Sequence, residues 1–141
     1  MQPDVENYTD LGFGASCYTV EGGRILAYVV NGAGQDISDV WAVRVIADVQ
    51  AHPKDKSMLL LQDMSQSGFT PYGDKRARDI AMAIPDDAEV YLALVLSNSI
   101  IGKIIKGVAY RALKARLKEN TNVKIFLDDR DAAIQWLRQF M

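Results

Sequence analysis

The groups in this chain best spaced to do chemistry are hydroxyls, amides and acids, gathered in short polar stretches that follow apolar runs. The densest stretch begins where Leu59-Leu60-Leu61 gives way to Gln62-Asp63-Met64-Ser65-Gln66-Ser67-Gly68-Phe69-Thr70-Pro71. Thr70 reads as a helix cap and Pro71 as the first helical residue, where the N–H that proline lacks would be unpaired anyway. Asp63, Ser65, Ser67 and Thr70 therefore stand where a buried strand hands over to a helix N-terminus, a position suited to an anion, a phosphate or a modified hydroxyl. Ser97-Asn98-Ser99 follows the next apolar run, and Asp128-Asp129 follows the last. These groups also have a plain structural use. Asp36, Thr70 and Asp128 each read as the cap of the helix they precede, and loops are polar whether or not they bind anything. Ser65 and Ser67 are the two that no cap requires.

A second constellation is cationic. Lys103, Lys106, Arg111, Lys114, Arg116 and Lys118 fall in a stretch that holds no acid before Glu119. On a helix turning about 100° per residue, Lys103, Lys106, Tyr110, Arg111, Lys114 and Lys118 share one arc, with Ile101, Ile104, Ile105, Val108, Ala109 and Ala112 opposite. Such a helix packs its apolar side on a core and leaves a solvated basic face. The same face suits an anionic membrane surface or an acidic partner.

Catalytic sets are sparse. His52 is the only histidine and precedes Pro53, which excludes a two-histidine zinc motif. A Ser-His-Asp set would have to use His52, at the wrong end of the first helix. Gly102-Lys103 lacks the rest of a phosphate-binding loop. Asp63, Asp128 and Asp129 could hold Mg²⁺ through oxygen, but acids at strand ends serve equally as caps. No catalytic residue, resident metal or cofactor is expected. The charge balance, 18 Asp and Glu against 16 Lys and Arg, argues against a nucleic-acid binder. Cys17 is the single cysteine, so no internal disulfide forms, in keeping with a reducing compartment. The N-terminal stretch carries Asp4, Glu6 and Asp10 and does not read as a signal peptide, and no apolar run has membrane-spanning length. A cytoplasmic location is the expectation.

The elements that must position these residues alternate along the chain. At 141 residues it fits one domain, which buries roughly two thirds of the surface its unfolded chain exposes. Residues 1–16 are expected as a loosely ordered N-terminal extension and 17–141 as a single α/β domain. Residues 17–20 and 24–30 form a hairpin about Glu21-Gly22-Gly23, where glycine supplies the positive φ such turns need. A helix opened by Asp36 carries Ile37, Trp41, Val45, Ile46 and Val49 at helical spacing and ends at His52-Pro53. Residues 57–62 form the next strand. Residues 71–83 form a helix with Ala77, Ile80, Ala81 and Ile84 inward. A strand over 89–96, a helix over 100–118 and a strand over 123–127 follow. Asp128 caps the last helix, which turns Ala133, Trp136, Leu137 and Phe140 to the core. The order ββαβαβαβα predicts a single-layer mixed, mostly parallel five-stranded sheet packed with four helices, with right-handed crossovers and one antiparallel hairpin edge. Ligands of such sheets gather beyond the carboxyl ends of the parallel strands. That places residues 31–35, 63–70, 97–99 and 128–129 on one rim.

Two segments carry a family resemblance. One is Leu61-Gln62-Asp63-Met64-Ser65, ending the middle strand. The other is Ile125-Phe126-Leu127-Asp128-Asp129-Arg130-Asp131-Ala132-Ala133-Ile134-Gln135-Trp136-Leu137. With this layout the chain resembles the SpoIIAA-like (STAS) superfamily over residues 18–137, most of all the bacterial branch described as STAS/SEC14-like. The resemblance implies a small α/β domain that acts by binding. In the anti-sigma-factor antagonists of that superfamily, a partner kinase phosphorylates a serine at the start of the helix after this strand. The Asp-Ser pair of that pattern falls here on Phe69-Thr70, so Thr70 would replace the serine, without the preceding acid and with Pro71 following. The SEC14 side of the superfamily binds lipids, in a pocket larger than this chain can build.

The expected function is a non-enzymatic regulatory or protein-interaction domain of the STAS type, meeting its partner through the strand–helix loop 63–71. Asp63, Ser65, Ser67, Thr70, Ser97, Asn98 and Ser99 form the rim that would accept a phosphate or contact a ligand. The alternative is a small-ligand or lipid-binding carrier or sensor, holding an apolar or anionic molecule at that rim. In it, Lys103, Lys106, Arg111, Lys114 and Lys118 would make weak contact with an anionic membrane surface. Apolar residues near 8–13 or along the basic helix leave a homodimer open.

Overall fold

The computed structural model describes residues 5–67, 70–99 and 121–141. Their strands form one six-stranded sheet in sequential order. The strands are β1 (Glu6–Gly12), β2 (Ala15–Val20), β3 (Ile25–Val30), β4 (Met58–Asp63), β5 (Val90–Leu96) and β6 (Thr121–Leu127). Three helices are described: α1 (Gln35–Ala51), α2 (Pro71–Ala83) and α3 (Arg130–Arg138). β1, β2 and β3 pair antiparallel, and β3 to β6 run parallel. The α/β class and the mixed, mostly parallel sheet are as expected. The helix expected over 100–118 lies outside the described residues.

The strand count differs at the N-terminus. Residues expected as a loose extension form β1, an edge strand against β2. It buries little, and its hold is through polar groups. Asn7 Nδ2 donates to Thr19 Oγ1 at 3.0 Å, and the Glu6 carboxylate accepts from Gly22 N at 2.9 Å. A strand of this kind leaves no apolar alternation in the sequence to announce it.

β4 is buried along Met58-Leu59-Leu60-Leu61 because helices cover both faces of the sheet. Successive side chains point to opposite faces. Met58 and Leu60 join Trp41, Val45 and Val49 of α1 and Ile80 of α2, while Leu59 and Leu61 join Ala133, Ile134 and Leu137 of α3. α1 and α2 share a face for a topological reason: right-handed crossovers stepping the same way along a sheet land on the same side. α3 follows the last strand, crosses nothing, and covers the other face. There Tyr91 stacks on Phe140 with ring centroids 3.9 Å apart, and Trp136 meets both rings edge-on.

Two caps shift from their expected places. Gly34, not Asp36, is the N-cap of α1 and offers no side chain; Asp36 lies in the first turn. Asp129, not Asp128, caps α3, accepting from Ala132 N at 2.9 Å. Asp128 instead adopts a left-handed conformation (φ 50°), and its carboxylate accepts from Asn98 N at 2.8 Å. The tie to β5 draws the first acid away from the helix and leaves the second to cap it.

Candidate functional site

The carboxyl ends of β3 to β6 meet on one edge and are stitched together strand by strand. Gly32 N donates to Gln66 O at 3.1 Å, which lays the β3 exit against the β4 loop. Met64 N donates to Val95 O at 2.8 Å, and Asp128 N to Leu96 O at 2.7 Å. With the Asn98–Asp128 bond, the chain of contacts runs from β3 to β6 without a gap. The structure therefore brings Asp63, Ser65, Ser67, Thr70, Ser97, Asn98 and Ser99 to one rim.

Local chemistry fixes several of these groups. Asp63, half-buried at the end of β4, accepts from Ser65 N at 3.1 Å and from Ser65 Oγ at 2.7 Å. This is the turn an aspartate builds with the backbone two residues on. Ser67 N donates to Met64 O at 3.1 Å, closing the turn. Thr70 Oγ1 accepts from Gly73 N at 3.0 Å and caps α2 as expected. Gly73 suits that place because a Cβ there would lie 3.2 Å from Thr70 Oγ1. Beneath the rim, Trp41 Nε1 donates to Gln62 Oε1 at 2.9 Å inside the core and ties α1 to β4. Tyr72 donates its hydroxyl proton to Asp39, and Arg76 bridges Asp39 and Asp79, so α1 and α2 are held together near their N-terminal ends.

On the α3 face the rim carries Asp63, Asp128, Asp129 and Asp131 with Arg130 among them. Tyr18 lies buried under this end, its hydroxyl without a hydrogen-bond partner among the described residues. Burial pushes that hydroxyl up from its ordinary pKa, and Arg130, 5.9 Å from the ring centroid, partly offsets the push. Asp63, Asp128 and Asp129 do not assemble as a Mg²⁺ site, since each engages a separate backbone or side-chain donor. Among the described residues no group of three or more potential ligands could hold a metal ion. Gly68, Phe69 and the basic set Lys103, Lys106, Arg111, Lys114 and Lys118 lie outside the described residues. No described helix is long and apolar enough to cross a membrane.

A second locus, missed in the sequence, lies at the other end of α1. There a groove of about 390 Å³ opens between the helix and β1–β3, lined by Cys17, Leu26, Tyr28, Arg44, Asp48 and His52 among others. Tyr28 donates its hydroxyl proton to Asp48 at 2.8 Å, and Arg44 Nε lies 3.2 and 3.1 Å from the two Asp48 oxygens. Burial pushes both the Tyr28 hydroxyl and the Cys17 thiol up. Arg44 and Asp48 stand four apart on α1, a helical ion-pair spacing visible in the sequence. What hid the locus was Tyr28, which reads as one more core residue in an aliphatic strand.

Compared with protein-family models, curated proteins and solved structures, the chain matches none.

Proposed function

We propose that this protein is a non-enzymatic interaction domain of the SpoIIAA-like (STAS) type, which meets a protein partner across the rim formed by the loop 63–71 and the neighbouring strand ends. The observation that carries the reading is the sequential strand order. Small-ligand crevices in open α/β sheets form where the strand order reverses. Here the parallel strands step one way throughout, so their carboxyl ends make a continuous polar edge. Internal hydrogen bonds preform that edge, and Gln66, Asn98, Asp128 and Asp129 are exposed along it. Groups already held by such bonds suit a protein partner, because ordering them on association then costs less conformational entropy.

The reading is tested by placing a photo-crosslinking residue at Gln66, at Asn98 and, as a control, at Asp87, an exposed position in the loop before β5. In cells of the source organism, Gln66 and Asn98 are expected to capture the same protein, and Asp87 not to capture it. Capture from Asp87 alone, or unrelated captures from the two rim positions, would remove the rim as the contact surface. Mass spectrometry of the native protein adds a second arm: phosphate on Ser65, Ser67 or Thr70 supports a regulated contact.

A further inference from the structure

At the end of α1 remote from the rim, the geometry points to a binding site for a small organic monocarboxylate. The groove of about 390 Å³ is of a size that small-molecule pockets take, roughly 300–1,000 Å³. Its floor is the sheet, with Cys17 and Thr19 from β2 and Leu26 and Tyr28 from β3. Its wall is the last turns of α1, carrying Arg44 and Asp48. The wall supplies an oriented cation. Asp48 accepts from the buried Tyr28 hydroxyl and from Arg44 Nε, so this carboxylate is spent within the protein and fixes the guanidinium. The terminal amino groups of Arg44 make no hydrogen bond among the described residues, and the side chain is 40% exposed. A guanidinium held by one carboxylate through Nε still presents a pair of donors that match both oxygens of a second carboxylate.

Charge selects the class of ligand. Arg44 and Asp48 cancel, so a dianion such as a phosphate monoester would meet about twice the repulsion from Asp48 that a monoanion meets, with the same single guanidinium to offset it. An amine would face Arg44. A neutral molecule would leave the guanidinium donors with water alone. A monocarboxylate satisfies the donors at the smallest electrostatic cost, and its hydrocarbon part can cover Leu26, Ala51 and Pro53 along the groove. This site is separate from the rim and stands or falls independently of any partner there.

The single cysteine lines the groove and makes the test direct. Hexanoate is titrated into the protein and followed by amide NMR, with hexanol as the uncharged match. Modification of Cys17 by a small thiol reagent is timed in parallel. Hexanoate is expected to shift the amides of Cys17, Tyr28, Arg44 and Asp48 with saturation. At about ten times the dissociation constant so obtained, thiol modification should slow about tenfold, because only the empty groove admits the reagent. Arg44→Gln is expected to abolish both effects, and Arg44→Lys, which keeps the charge but loses the paired donors, to weaken binding about tenfold. Unmoved Ser65 and Asn98 amides certify the fold of each variant; should Arg44→Gln fail that check, Arg44→Lys decides. Hexanol matching hexanoate, Arg44 variants binding as well as the natural chain, or groove amides that stay still up to the solubility limit would each overturn the site.

Discussion

The side chain of Thr70 caps the start of α2 by accepting from Gly73 N through its hydroxyl. Thr70→Ala is expected to cost about 1 kcal/mol in a urea titration, and Thr70→Ser to recover most of it. Tyr28 and Cys17 set a different kind of prediction. In the unfolded chain they ionise near 10.0 and 9.0, and burial holds both protonated to higher pH in the folded chain. Above those values the folded state binds more protons than the unfolded, so stability falls as pH rises, by up to about 1.4 kcal/mol per pH unit for each group. Below them the contribution is whole. Tyr28→Phe is therefore expected to flatten part of the alkaline fall over roughly pH 9 to 11, read from urea midpoints. A variant with the same slope as the natural chain would show that Tyr28 ionises normally when folded. Thr70 was legible because a threonine before a proline has few other readings. Tyr28 was not, since its role depends on Asp48, a residue distant in the chain that only the packed helix delivers.

The elements divide in the same way. The full extent of α2, Pro71–Ala83, is legible in the residues, because Thr70-Pro71 starts it and Pro85 bars its continuation. β1 went unseen because its hold on β2 is backbone pairing and polar contacts. The turn after β1 can be tested at Gly14. This residue has φ +98°, its carbonyl accepts from Asn31 N at 3.0 Å, and a Cβ built on it would lie 2.4 Å from Asn31 O. Gly14→Ala is expected to cost about 2 to 3 kcal/mol in thermal unfolding, combining backbone strain with a clash against main chain that cannot yield. Gly22→Ala is the comparison: φ is +66° there, but an added Cβ meets nothing within 4 Å, so only the strain remains and the loss is smaller. Equal losses at the two glycines would mean that the turn gives way and does not hold the β3 exit in place.

Across the whole molecule, cores on both faces of the sheet meet at β4, while β1 carries few buried groups. Native-state amide exchange is expected to be slowest in β4 and fastest in β1, with β1 opening while the parallel strands stay protected. Protection of β1 equal to that of β4 would show that the edge strand unfolds only with the rest. The α/β class, the buried strands and the extent of α2 could all be read from the residues in order, because periodicity and capping act over a few neighbours. Packing at long range was needed to bring β1 into the sheet, to carry Asp128 back to Asn98, and to make Tyr28, Arg44 and Asp48 converge beside Cys17. It also fixed the strand order, which sets the polar strand ends side by side along one edge. Those outcomes rest on which strands lie side by side, and no local pattern of residue types encodes that choice.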